Sequence, residues 1–176
     1  MTQNNFAESM LKGRMAETLI EELLKQSGNI VYRFGYEAIV QNLTQLEEKF
    51  DRYSEVGERI RAIPDFIVLD KSGKPEFVEV KFRWRPELDR AQKERELAML
   101  ARIEKFWKAK IIFVNCWEPP FFRMANPPYI DKNGNLILTP LLDEKNWKID
   151  KKIYEELENL VHRYLTPTLI PTKDKK

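Results

Sequence analysis

The stretch Phe77-Val78-Glu79-Val80-Lys81-Phe82-Arg83-Trp84-Arg85 constrains the fold more than any other part of the chain. Its residues alternate with a period of two, so as a strand it directs Val78, Val80, Phe82 and Trp84 to one side. Glu79, Lys81, Arg83 and Arg85 then project from the other. The apolar side can pack under a helix. A row of ionised groups on a half-buried strand is costly unless each finds a partner or faces a wet cleft. Pro64 to Asp70 reads as a second strand, joined to the first through the turn-forming run Lys71-Ser72-Gly73-Lys74-Pro75, which predicts a hairpin. Lys110 to Cys116 is apolar and rich in β-branched residues, as expected of a buried central strand.

Helical patterns surround these strands. From Glu8 to Ser27, Ala16, Leu19, Ile20, Leu23 and Leu24 share one face, with Gly28 at the C-terminal capping position. A strand is expected over Asn29 to Glu37. Leu43, Leu46, Phe50, Tyr53, Val56 and Ile60 then recur every three or four residues from the N-cap Asn42, which predicts a helix inserted before Pro64. A charged helix is expected over Glu87 to Lys108. Prolines break Glu118 to Pro128 into an irregular excursion. Asn133-Gly134 marks a hairpin turn between Tyr129-Ile130 and Leu136 to Leu138. Asp150 caps a last helix running to Leu165. The chain is therefore expected to be a single α/β domain over 1–165, with a mixed central sheet flanked by helices. The helical insertion covers 38–63, a hairpin and helix form a C-terminal extension, and 166–176 is a polar tail.

Composition narrows the chemistry. Thirty Lys and Arg stand beside 28 Asp and Glu, for a net charge of +2, so bulk charge does not announce a nucleic-acid binder. The lone Cys116 cannot form an internal disulfide, and no signal peptide or long apolar run is present, so the expected location is cytoplasmic, off the membrane. His162 is the single histidine and points away from the stripe Ile153, Leu157, Leu160, Val161 and Tyr164. Zinc sites built from His and Cys pairs, and serine or cysteine nucleophile systems, lack their parts. Carboxylates and lysines must carry any catalysis.

An acid, any residue, then lysine occurs five times, at Glu47, Glu79, Asp143, Asp150 and Asp174. Only Glu79-Val80-Lys81 lies in an apolar strand that follows a Pro-Asp pair on the preceding strand. Asp65, Glu79 and the backbone carbonyl of Val80 offer hard oxygen ligands suited to Mg²⁺ or Mn²⁺, with Lys81 beside the metal-bound water. This donor set permits phosphodiester hydrolysis, with Lys81 orienting or deprotonating the attacking water or stabilising developing charge. The plain alternative is a salt-bridge network at a sheet edge.

The order Glu17 on an N-terminal helix, Pro64-Asp65, a hairpin, Glu79-Val80-Lys81 and a following helix resembles the PD-(D/E)xK, or restriction-endonuclease-like, superfamily. Lys12-Gly13-Arg14-Met15-Ala16-Glu17, continuing to Val31-Tyr32-Arg33, resembles the opening of archaeal-type Holliday junction resolvases. The resemblance covers residues 12–36 and 64–115. It implies a restriction-endonuclease-like core, a Mg²⁺-dependent endonuclease acting on duplex or branched DNA, and Asp65 and Glu79 as metal ligands. Lys81 would be the catalytic lysine, Glu17 a further acid near the metal, and Gln92 a glutamine found near such sites. A homodimer is expected by analogy, because cutting two strands usually takes two such sites. The insertion before Pro64 and the extension after Cys116 depart from the resolvase pattern.

Arg83 and Arg85, with Lys93, are candidates to grip a phosphate backbone, as are Arg59 and Arg61 on the insertion. For Arg83, Arg85 and Lys93, with Arg95 nearby, the plain alternative is a solvated charge cluster countered by Glu87, Asp89 and Glu94, while Arg59 and Arg61 have Glu55 and Glu58 beside them. The rival functions are a non-catalytic nucleic-acid-binding or complex-forming module on the same fold, which leaves room for a partner protein, and a restriction or mobile-element nuclease subunit.

Overall fold

The apolar strand Lys110–Asn115 (β4) lies inside a six-stranded mixed sheet, with Ile111 to Val114 buried along its length. The structure, a computed structural model, describes residues 3–35, 51, 53–83 and 87–166. The strands are β1 (Val31–Arg33), β2 (Phe66–Leu69), β3 (Pro75–Arg83), β4, β5 (Phe122–Ala125) and β6 (Thr139–Pro140), and their order in the sheet follows the chain. Only β3 and β4 run parallel; every other neighbouring pair is antiparallel. That one parallel pairing needs a crossover, which the helix α3 (Arg90–Phe106) supplies.

The alternation of β3 sorts the two faces. Val78 and Val80 join Ala16, Ile20, Leu23 and Leu24 of α1 (Gln3–Gln26) in the larger core, which also takes Phe66, Val68, Ile112 and Val114. The final helix, α4 (Lys151–Leu160), packs into that core through Tyr154 and Leu157. On the opposite face Leu100 and Ile103 of α3 cover Ile111, Phe113, Ala125 and Tyr129. Each fully buried Leu or Ile of this kind contributes roughly 1.5–3 kcal/mol.

The terminations follow local chemistry. Gly28, at φ +85°, ends α1, with its N–H on the Lys25 carbonyl and that of Asn29 on the Leu24 carbonyl. The β2–β3 turn is held by Asp70, whose Oδ1 accepts from the Ser72 and Lys74 amides at 2.8 and 2.9 Å. Asp131 plays the same part before Asn133-Gly134, although that expected hairpin is reduced to one bridge, Ile130 with Leu136. Asp150 caps α4 as expected.

Several expectations are corrected. α1 begins at Gln3 rather than Glu8, and β1 is three residues long. The excursion from Glu118 to Pro128 contains a real strand, β5. The prolines flank this strand rather than interrupt it, and Phe122, Met124 and Ala125 are buried against β4 and both cores. The buried stripe of the last helix runs through Tyr154, Leu157, Val161 and Leu165, continuing into a π-helical turn, so Leu160 and Tyr164 are exposed. His162 is exposed, as its helical position predicts. Of the insertion, α2 (Glu55–Arg61) is described and is capped by Ser54, while Asn42 lies outside the described residues. Leu43, Leu46 and Phe50 lie outside the described residues, as do Trp84, Arg85 and the tail beyond Thr166. No helix among the described residues is long and apolar enough to cross a membrane.

α1 is fastened to β1 by charge. Glu21, almost wholly buried, accepts from the Arg33 guanidinium and from the Lys25 ammonium. Burial alone would raise the Glu21 pKa, but the bonds from Arg33 and Lys25 outweigh it and hold the carboxyl below its ordinary value of 4.5. Such a group stabilises the fold fully above that value and loses its contribution as pH falls through the lower folded pKa. Glu21→Gln is therefore expected to cost about 1–2 kcal/mol at pH 7, from the loss of partly exposed charged hydrogen bonds. In thermal unfolding followed across pH, the difference from wild type should shrink as pH falls below the ordinary carboxyl value of 4.5. A constant difference at all pH values would show that the charge does not matter.

Candidate active site

The β2–β3 ladder pairs Leu69 with Pro75 and Phe66 with Val78. Extended by one residue, that register sets Asp65 opposite Glu79. Pro64 has no N–H to continue the ladder. Instead the Asp65 side chain takes over, with Oδ2 accepting from the Val80 amide at 2.7 Å. In a strand the N–H and C=O of one residue point the same way in the sheet plane, so the Val80 carbonyl faces this opening too. Asp65 is also held from the other side, because its carbonyl accepts from the amides of Phe34 and Gly35 at 2.8 and 3.1 Å. A Cβ on Gly35 would sit 3.7 Å from Asp65 Oδ1, so the glycine leaves room beside the carboxylate.

Phe66, Val78 and Val80 face α1, so alternation puts Asp65, Glu79 and Lys81 together on the other face. Glu79 is only 7% exposed. Its Oε1 receives the Lys81 ammonium, while Oε2 is buried without a hydrogen-bond partner. Burial pushes the Glu79 pKa up to about 7; Lys81 opposes the rise, and Asp65 and Glu17 add to it. Burial pulls the Lys81 pKa down, but Glu79, Asp65 and Glu17 overcome it and leave the ammonium harder to deprotonate than usual. Glu17, half-buried on α1, is thus close enough to act on both groups.

The structure brings a further residue here that the sequence reading passed over. Arg33, at the end of β1, is bonded to Glu21 and feels the charges of Glu17 and Asp65. Its guanidinium also lies 5.8 Å from the centre of the Phe66 ring. One signal was available: Glu21 follows Glu17 by a helical turn, and a buried acid on that flank demands a cation from the neighbouring strand.

The remaining candidates separate from this cluster. Arg83 shares the face of Lys81 but is engaged by Glu96 on α3 and lies 4.2 Å from the centre of the Phe113 ring. Its partner is thus Glu96 rather than Glu87, Asp89 or Glu94, the acids of the alternative to a phosphate grip. Gln92 completes a capping box, its amide bonded to Asp89 Oδ1 and its side-chain oxygen accepting from the Asp89 amide at 3.1 Å. Lys93 is exposed on α3. Arg59 lies over Trp107 and Arg61 over Tyr53, both on or beside the insertion. Arg85 lies outside the described residues.

Among the described residues, no group of three or more His, Cys, Asp or Glu side chains is arranged to hold a metal ion. What the arrangement does offer is the buried, unpartnered Glu79 Oε2 opposite Asp65, both hard oxygen donors of the kind Mg²⁺ or Mn²⁺ takes. No protein-family model matches the chain, and no curated protein matches it significantly.

Proposed function

We propose that this chain is a metal-dependent endonuclease of the PD-(D/E)xK type that hydrolyses phosphodiester bonds in DNA. The observation that carries this reading is Glu79 Oε2, a carboxylate oxygen buried without a hydrogen-bond donor within reach of the charges of Asp65 and Glu17. In this proposal Asp65, Glu79 and the Val80 carbonyl hold Mg²⁺ or Mn²⁺, and Glu17 completes the acidic wall. A divalent ion bound there supplies activation of water and neutralisation of phosphoryl charge.

Lys81 acts beside it. Its raised pKa keeps it protonated at neutral pH, so it serves as a fixed donor to the attacking water or a phosphoryl oxygen rather than as a proton acceptor. Arg33, held by Glu21, adds a second cation at the rim for the phosphate backbone. Two copies related by a two-fold axis would present two such sites to opposite strands.

One observation favours a non-catalytic nucleic-acid module on the same fold. The Lys81 ammonium already occupies Glu79 Oε1, and no three-acid group stands ready among the described residues. Cleavage separates the two readings. With Mg²⁺ or Mn²⁺, wild type is expected to nick supercoiled plasmid and cut branched DNA, and EDTA to abolish both. Asp65→Asn and Lys81→Ala should each lower the rate by about 100-fold or more, as removal of a charge-stabilising group does. Glu17→Gln should lower it by roughly 10-fold, as loss of an outer supporting group does. Cleavage undiminished in both Asp65→Asn and Lys81→Ala removes this site from the reaction, and DNA binding without any cleavage favours the module.

Stability offers a second test, independent of activity. Because the Glu79 pKa is raised in the folded state, the metal-free protein binds more protons than the unfolded chain between about pH 4.5 and 7. It should therefore lose stability as pH rises through that window. Mg²⁺ or Mn²⁺ is expected to raise Tm more at pH 8 than at pH 5, with Glu79→Gln abolishing the difference. An equal ion effect at both pH values would place the ion elsewhere.

A further inference from the structure

The short helix α2 carries an aromatic side chain that its packing does not explain. Tyr53, just before the Ser54 cap, is 88% exposed, and Val56 beside it is 65% exposed. The expected apolar face of this helix included both. Core formation leaves them in water, and such a pair of side chains next to cations has the composition of a nucleic-acid stacking surface. The Arg61 guanidinium lies over the Tyr53 ring, 5.8 Å from its centre and within cation–π range, and so sets a charge against one face of the exposed ring.

The ledge is also anchored. Trp107 Nε1 donates to the Arg59 carbonyl at 3.2 Å, and the Arg59 guanidinium lies 5.6 Å from the centre of that indole. Trp107 packs edge-on against Phe34 and Phe77 at 5.5 and 5.1 Å. Phe34 donates its amide to Asp65, and Phe77 precedes Glu79 by two residues on the same face. Arg61 precedes Asp65 by only four residues, a chain reach of about 14 Å at most. The backbone of Arg61, whose guanidinium lies over the exposed ring, is therefore no farther from Asp65 than about four stacked nucleotides, counting roughly 3.4 Å for each.

We propose that Tyr53 and Arg61 form a clamp for an unpaired nucleotide, so that the preferred substrate is DNA carrying a single-stranded segment beside the scissile phosphate. Tyr53 stacks on the base and Arg61 pairs with the adjoining phosphate. Stacking on an aromatic face selects an unstacked base without reading its sequence. The clamp takes its position relative to the chemistry from the nuclease reading above.

The test uses the full chain in EDTA, where binding is read without cutting. Fluorescence anisotropy compares a blunt duplex with the same duplex carrying a short overhang, and a 2-aminopurine in the overhang reports stacking. Wild type is expected to bind the overhang DNA about tenfold tighter, in line with one stacked base, and to quench the 2-aminopurine. Tyr53→Ala should lose both the preference and the quench while keeping blunt-duplex affinity and Tm. Tyr53→Phe should retain both effects, and Arg61→Ala should weaken overhang binding and flatten its salt dependence. Equal binding of the two DNAs by wild type, or an unchanged preference in Tyr53→Ala, overturns the clamp. Cutting is read separately with Mg²⁺. Cleavage that survives Asp65→Asn overturns the site and not the clamp, whereas overhang-independent binding overturns the clamp and not the site.

Discussion

The bond from the Val80 amide to Asp65 Oδ2 is the contact on which the rest of the site depends. It forms where Pro64 ends the ladder between β2 and β3, and it replaces a backbone partner with a carboxylate. A charged acceptor makes this bond stronger than the ladder bond it replaces. It also fixes Asp65 across from Glu79 and leaves the Val80 carbonyl directed into the gap. The end of β1 closes over the same residue through the amides of Phe34 and Gly35. The end of β1, the start of β2 and the middle of β3 thus converge on one aspartate.

Two lysines, each set among several acids, distinguish that gap from the rest of the fold. Lys110, at the start of β4, lies 2.8 Å from Glu76 and 3.0 Å from Glu144 and stacks 4.5 Å from the Trp147 ring centre. Glu76 Oε2 makes an ion contact there without good hydrogen-bond direction, yet each charge has its opposite within reach. Such a network is self-contained and joins three segments of the fold. Lys81 instead meets Glu79, Asp65 and Glu17, while the nearby Arg33 is committed to Glu21. Desolvation raises the Glu79 pKa, and the Lys81 ammonium opposes that rise without cancelling it.

Much of this was readable from residue order alone. The period of two in β3 already assigned Glu79 and Lys81 to one face and Val78 and Val80 to the other, because the pleat leaves a strand no alternative. The turn at Asp70 to Lys74 and the cap at Asp150 were equally legible, since both are local side-chain-to-backbone bonds. Non-local partners were not. Arg83 answers Glu96 through the crossing of α3 over the sheet, and Arg33 answers Glu21 across the α1–β1 contact. Neither spacing is periodic in sequence. β5 was hidden because prolines mark chain breaks without saying whether a strand lies between them. Buried Phe122 and Met124 decide that point only once β4 is in place. For Gln92, the capping box with Asp89 accounts for its position without any role at the acids.

The aromatic group Phe34, Phe77 and Trp107 explains how an insertion can matter to a site it does not line. Phe34 belongs to the strand end that bonds Asp65, Phe77 to the strand that bears Glu79, and Trp107 to the end of α3, which returns the chain to β4. Displacing any of these rings by an ångström would move a backbone that carries an acid. Trp107 at the same time takes the Arg59 carbonyl and guanidinium, one by a hydrogen bond and one by its ring face. Two kinds of contact to one residue restrict both translation and rotation of α2, which a single contact would not do. The position of Arg61 and Tyr53 relative to Asp65 is therefore set by packing rather than by the short peptide between them. A helix added ahead of Pro64 in this way can present exposed side chains to a ligand at the acids without disturbing the strands that hold them.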